Sequence, residues 1–251
     1  MMAMPFILLI LTAVPAALAT DYCDPKLCGR TKHIACGHNG AFAARCIDAE
    51  VVSFTKRQRD LIVRAHNKVR NRVAGGTSAL QPACRMATMQ WDDELAELAV
   101  FNVKQCKGSH DCHNTATYKY SGQNLAWMTY NDSPNTTEMS LKSVNMWYDE
   151  IKHTKMAHID KYPGNYRGPT IGHFTIMVAD RNIRVGCAAS TYMDAKESQY
   201  AFLFACNYAS TNLVGTPMYK SCTSAASLCK TGRNRRYRNL CSPSEKYDEW
   251  Y

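Results

Sequence analysis

One histidine stands where water should be scarce. In IGHFTIMVA, Ile171 to Ala179, the imidazole of His173 opens a run that otherwise leaves water. A ring in that place is a general base, a metal ligand, or a group whose two nitrogens are satisfied by neighbours. Either it is structural, or it belongs to a site assembled from distant parts of the chain. A second titratable group, Glu150, falls beside the apolar stripe of a predicted helix, which puts its carboxylate at a core edge. No nucleophile accompanies them, because no serine lies in a nucleophile-elbow context and the cysteines are expected to be paired.

The elements that must position these groups follow a leader. Residues 1–19, MMAMPFILLILTAVPAALA, carry no charge and end in Ala17-Leu18-Ala19. That is an apolar run too short to span a bilayer, closed by an A-x-A cleavage pattern, although the usual basic start is missing. It predicts a signal peptide and a secreted, extracellular mature chain. All twelve cysteines follow it, with no CxxC pair, so a disulfide framework is expected rather than a zinc ribbon or a thioredoxin-like site. No later segment is apolar enough to cross a membrane. The formal charge is +9, with much of the excess in CKTGRNRRYRNLC near the end. That run is a solvated basic tail or a means of meeting anionic glycans or lipid surfaces. It lacks an aromatic-rich nucleic-acid motif, and the exported address argues against such a partner.

Residues 20–52 read as an irregular, disulfide-pinned N-terminal segment. Thr55 and Gln58 form a capping-box pattern, followed at helical spacing by Ile62, Ala65, Val69 and Val73 and stopped by Gly75-Gly76. His66 lies beside that stripe. A second helix starts at Asp92 and carries Leu95, Leu98, Ala99, Asn102 and Cys106 on one face. A third, TEMSLKSVNMWYDEIKH, has Leu141, Val144, Tyr148 and Ile151 as its stripe, flanked by Met146, Trp147 and Glu150. The period then changes. HFTIMVA alternates as a strand would, and RVGCAASTYM and QYAFLFACNYA read as a hairpin bridged by Cys187–Cys206. Helices first and a mostly antiparallel sheet afterwards predict an α+β fold.

Four segments taken together, AHNKVRNRVA (65–74), SGQNLAW (121–127), GHFTIMVA (172–179) and FACNYASTNLVG (204–215), resemble the CAP superfamily. This group unites cysteine-rich secretory, antigen 5 and pathogenesis-related 1 proteins. The N-terminal cysteines and the tail narrow the resemblance to insect antigen 5-related, venom allergen-like proteins, and it covers Tyr22 to Tyr247. It implies a three-layer α-β-α sandwich, with the CAP domain over 53–215 and a cysteine-containing basic tail over 216–251. It also implies the pairs Cys23–Cys36, Cys28–Cys112, Cys46–Cys106 and Cys187–Cys206. Cys84, Cys222, Cys229 and Cys241 fall outside the pattern, and the expectation for them is Cys84 with Cys241 and Cys222 with Cys229.

By the same resemblance, two histidines and two acids surround a central cleft, sometimes with a divalent metal. Here they are His110, His173 and Glu150, with Gln123 in place of the second acid. His110, Glu150 and His173 would suit zinc with water in the fourth place, or would position a water as general base. Glutamine is a poor zinc ligand, so no cofactor is required by the pattern. Alternatively His66, His110 and Gln123 simply hydrogen-bond one another. His66 and Asn67 are read as bracing the helix on the sheet, and Asn207 and Tyr208 as core hydrogen-bonding residues. Ile176 and Ala179 depart from the family's usual Gln and Trp.

The leading functional expectation is an exported, non-enzymatic binding or defence protein of saliva, venom, gut or reproductive fluid. The resemblance implies a lipid or sterol groove, for which Met139, Met146, Trp147, Met156 and Met177 are candidates. The alternative is a metal-assisted hydrolase or protease using the His/Glu cleft. A channel or receptor effector ranks last, since only Cys222, Cys229 and Cys241 follow the core and no Arg-Gly-Asp occurs. Asn135-Thr136-Thr137 is a glycosylation sequon, whereas Asn131-Asp132-Ser133 is followed by a disfavouring Pro134.

Overall fold

The helix start written into Thr55 and Gln58 is made reciprocally. The Gln58 N–H donates to Thr55 Oγ1 at 3.3 Å, and the Thr55 N–H donates to Gln58 Oε1 at 2.8 Å. The structure, a computed structural model, describes residues 20–247, so the leader over 1–19 lies outside the described residues. The elements in chain order are α1 (Pro25–Cys28), β1 (Ile47–Val52), α2 (Lys56–Ala74), β2 (Gln90–Trp91), α3 (Asp93–Val103), β3 (Gly122–Tyr130) and α4 (Thr136–Tyr148). A 3-10 turn (Asp149–His153), α5 (Met156–Asp160), α6 (Gly172–Val178), β4 (Arg184–Asp194) and β5 (Gln199–Tyr208) complete them. Among the described residues no helix is long and apolar enough to cross a membrane.

The sheet runs β1-β4-β5-β3, antiparallel, with β2 joining the start of β4 in parallel. Helices α2, α4 and α6 cover one face and α3 the other, giving the three-layer α-β-α sandwich. The larger core, between the sheet and α2, α4 and α6, includes Val73, Trp147, Phe174, Phe202 and Phe204. The smaller core lies under α3 and includes Ala99, Val103, Ala188, Tyr192 and Leu203. At Gly186 the α3 N-terminus rests directly on the sheet: a Cβ there would come within 2.4 Å of the Asp92 carbonyl oxygen, so only glycine permits the approach.

Four local expectations meet a different structure. HFTIMVA is the helix α6 rather than a strand; Phe174 to Val178 are all buried, so no exposed face exists to reveal the helical period. The N-terminal segment contains β1 and α1. A bulge between Ile47 and Glu50, with Asp48 at φ 48°, breaks the alternation that would have marked the strand. Cys106 lies beyond α3. In α4 the buried residues are Ser140, Ser143, Val144 and Trp147, with Leu141, Tyr148 and Ile151 only half-buried. Both serines close their hydroxyls on i−4 carbonyls, at 2.7 and 2.9 Å, which allows these polar groups to face the core.

All twelve cysteines are bonded. Cys23–Cys36, Cys28–Cys112, Cys46–Cys106 and Cys187–Cys206 are joined, the last pair directly across β4 and β5. The tail departs from expectation: Cys84 is bonded to Cys222 and Cys229 to Cys241. A short antiparallel bridge at Ala83 and Ser221 sets the first pair side by side, with the Cys84 N–H donating to the Lys220 carbonyl at 2.8 Å. Nor is the tail free in solvent. Leu240 and Cys241 are buried, Arg85 Nε meets Glu245 Oε1 at 2.6 Å, and Tyr247 Oη donates to the Arg85 carbonyl.

Under this tail lies a fully buried cation. Arg70 of α2 donates to the carbonyls of Ala87, Met177, Ala179 and Asp180 at 2.7–3.1 Å, so its charge is met by oriented dipoles rather than by a direct ion pair. Burial lowers its pKa to about 10, which leaves it protonated. Beside it, burial raises the Asp180 carboxyl to about 6, against the pull of Arg181 and Arg70.

Arg70→Ala should lower stability by at least about 3 kcal/mol in chemical denaturation, since several buried carbonyls lose their donors together. Arg70→Lys, with three donors and no planar fork, should recover less than half of the loss. The Asp180 carboxyl titrates higher in the folded chain than at its unfolded value near 3.9. Its contribution to stability is therefore complete below about pH 4 and is lost as pH rises through about 6. Between pH 4 and 7 the urea midpoint of Asp180→Asn should gain on that of the unmodified chain; parallel profiles would refute the assignment.

Candidate functional site

At one end of the sheet, beside the β3 edge, is a hollow of about 420 Å³. Its lining includes His110, Asp111, His113, Gln123, His173 and Asn212. Two hydrogen-bonded clusters build it. In the first, the 3-10 turn after α4 carries Glu150 to the start of α6. Glu150 Oε1 accepts from His173 Nδ1 at 2.6 Å, and Oε2 accepts the Phe174 N–H at 3.0 Å. One carboxylate thus caps the buried helix and fixes the ring beside it. Trp147 stacks on His173 at 15° between planes.

The second cluster centres on Gln123 of β3. Its Oε1 accepts from His110 Nδ1 at 3.0 Å. Its Nε2 donates to Asn207 Oδ1 at 3.0 Å and lies 3.4 Å from both Asp111 oxygens. Asp111 Oδ1 also accepts from His113 Nδ1 at 2.8 Å, and Asn102 donates to Oδ2. Burial alone would raise the Asp111 carboxyl, but its hydrogen bond and charge contact with His113, helped by Asn102 and Gln123, hold it below the usual range. His113 Nε2 contacts the Gly122 carbonyl at 3.1 Å, so both ring nitrogens are engaged.

His66 stands apart from the hollow. Its Nδ1 donates to the Ile62 carbonyl and its Nε2 accepts from the Tyr208 hydroxyl, each at 2.9 Å. Full burial lowers its pKa to about 4, keeping it neutral. Tyr208 Oη accepts from Asn124 Nδ2, which also donates to the His173 carbonyl, so a buried chain of polar groups links α2 through β5 and β3 to α6. His66 does not bond His110 or Gln123 in this arrangement; it ties its helix to the sheet. Asn67 is bonded to both the Met89 N–H and carbonyl, and Asn207 Nδ2 donates to the Leu95 carbonyl.

The donor set does not fit a metal. Among the described residues no three of His, Cys, Asp and Glu come together as a metal-holding group. His110 and His173 line the same hollow, yet His110 is tied to an amide and His173 to Glu150, whose second oxygen is committed to α6. Glu150, committed through both oxygens to His173 and α6, is not placed as a third ligand beside His110 and His173.

Asp111 and His113 join the site in addition to the residues expected from the sequence. The signal lay in HDCH: Cys112 bridges to Cys28 and pairs with His33 as extended chain, so its two neighbours share the opposite side. Of the set expected to line a groove, Met139 and Met156 are half-buried against the core. Trp147 and Met177 are core, and Met146 is exposed. A hollow of about 430 Å³ lies between α2 and α4, its apolar lining Leu61, Ala65, Val69, Leu141 and Tyr148 and its polar lining Arg64, Lys68, Arg72, Asn145 and Arg236.

The family described as cysteine-rich secretory protein, or CAP, matches residues 63–208. Venom allergen-1 of Aedes aegypti is 38% identical over 231 residues, covering 90% of this chain and 89% of its own. The antigen 5 like allergen Cul n 1 of Culicoides nubeculosus is 39% identical over 194 residues, covering 72% of this chain and 88% of its own. Among solved structures, NaASP2 with Zn2+ superposes at a TM-score of 0.64 and 22% identity, covering 78% of this chain and 100% of that one, a likeness of fold.

Placing a carboxylate at position 123 tests the second cluster. Gln123→Glu removes the donor to Asn207 and sets a negative charge against Asp111. The variant should lose about 1–3 kcal/mol of stability at neutral pH and recover much of it near pH 4, where the added acid is protonated. A pH-independent loss in urea melts would contradict the placement of Gln123.

Proposed function

The chain belongs to the cysteine-rich secretory protein (CAP) family, on its venom allergen and antigen 5 side, and from that premise we propose that it is an exported protein acting by binding rather than by turnover. The observation that carries this reading is the mutual engagement of the cleft. His173 is held by Glu150, His110 by Gln123 and His113 by Asp111, with every cysteine in a disulfide. The carboxylate fixes the His173 ring through Nδ1, and nucleophilic turnover would further need an activated group, which no cysteine is free to supply. A small polar molecule resting on the rim of the hollow is compatible with that geometry.

The ligand proposed is a lipid or sterol in the hollow between α2 and α4. The floor of Leu61, Ala65, Val69, Leu141 and Tyr148 supports this reading, and the volume suits the ring system or a chain segment of such a molecule. Export is supported by the uncharged leader sequence and six disulfides. We also propose a glycan at Asn135. The residue is exposed, and its Oδ1 accepts the Glu138 N–H at 3.1 Å, which leaves Nδ2 for the sugar.

Native mass spectrometry and lipid extraction of protein from an insect secretory host should recover a bound lipid at near-stoichiometric yield. Val69→Trp, filling the floor, should reduce that yield at least fivefold with the fold intact by circular dichroism. A preparation free of lipid that also fails to take up a fluorescent sterol or fatty acid would overturn the reading.

A further inference from the structure

We infer that the protein carries a second, extended binding surface, for a linear sulfated polysaccharide, where the tail loop meets α2. On α2, Arg64, Lys68 and Arg72 follow one another at four-residue intervals, each about 6 Å further along one exposed face. Arg236 reaches the same hollow from the tail, 164 positions after Arg72 in sequence, and no carboxylate lines it. Two stretches of charge far apart in the chain become one surface.

The tail side of this surface is held in shape. The Cys229–Cys241 bond closes the loop. Asn239 fastens it to α2, its N–H donating to Asn71 Oδ1 at 3.0 Å and its Nδ2 to the Asn71 carbonyl at 2.9 Å. Inside the loop the buried Asn234 accepts the N–H groups of Arg236 and Tyr237 at 2.8 and 3.0 Å. Arg235, Arg236 and Arg238 are therefore presented, exposed, on a braced turn. Among the described residues none of these three, nor Arg64, Lys68 or Arg72, forms an ion pair with a carboxylate. Arg72 lies over the Tyr148 ring and Arg236 over the Tyr237 ring, at 5.6 Å each. Stacking orients a guanidinium while leaving its N–H fork for an oxyanion.

The shape selects the partner. Arg236 and the α2 cations line one concavity between helix and tail, whose recess a flat bilayer does not enter. A flexible chain bearing sulfates at regular intervals can lie along the helical row and still contact the loop. Bringing rigid, uncompensated cations to such a polymer releases its counterions, so binding should be strongly salt-dependent. This surface does not rest on the lipid reading, since it needs the cations at the rim and not an occupied floor.

The test uses the full mature chain with a size-defined heparin oligosaccharide in NaCl from 0.05 to 0.3 M. Arg235→Ala/Arg236→Ala/Arg238→Ala and Arg64→Ala/Lys68→Ala should each weaken binding at least tenfold. The triple variant should also flatten the plot of log K against log[NaCl] by about two to three. Lys26→Ala/Arg30→Ala/Lys32→Ala removes the same charge from the N-terminal segment and should change affinity less than threefold. Equal losses in both triple variants would mean bulk charge only and would overturn the proposal. So would undiminished binding to fully desulfated heparin, or binding to phosphatidylserine vesicles without binding to heparin. Lipid recovered from the variants is measured separately, so failure of either reading leaves the other standing.

Discussion

A single buried guanidinium organises the centre of this molecule. Arg70 leaves α2 and gathers carbonyls from Ala87, ahead of β2, and from Met177, Ala179 and Asp180, at the end of α6 and just beyond. An apolar side chain there would fill the volume, but it would withdraw a donor from each of those oxygens, and their segments would have no common anchor. Other contacts inherit positions from this one. The Asp180 carbonyl also accepts the Ala87 N–H, and the Asp180 N–H donates to Met218, so the beginning of the tail is laid against the same spot.

The cleft follows a similar economy of side chains. Glu150 holds both the first turn of α6 and the ring of His173, while the chain from His66 through Tyr208 and Asn124 arrives at the His173 carbonyl from below. Side chains so engaged hold the shape of the hollow. Gln123 fits this environment because its amide donates on one side, to Asn207, and accepts on the other, from His110. A carboxylate cannot do both.

How much of this could be read from the sequence depends on how local each cause is. The caps at Thr55 and Asp92 are decided within one turn, and both are made. The β4–β5 hairpin announced itself through two long apolar runs, with Cys187 and Cys206 in register. By contrast, α6 is surrounded on every side, so it shows no period. β1 is disguised by its bulge, and the pairing of Cys84 depends on a bridge formed 138 residues away. At the site, His110, Gln123, Glu150 and His173 do come to one region, but as two separate bonded clusters. That division, and the entry of Asp111 and His113, depend on side-chain directions that one-dimensional spacing does not record.

The docked tail changes what counts as the smallest intact piece of this chain. The family match ends at residue 208, yet Cys84 is bonded to Cys222, and Arg85 finds its carboxylate at Glu245. A fragment cut where the family match ends would carry an orphaned thiol. It would also expose an uncovered patch of interior above the very arginine that knits its centre together. The span of the family match and the span that keeps Cys84 and Arg85 partnered are different lengths, and the difference is a strap of chain that serves as a lid on the keystone.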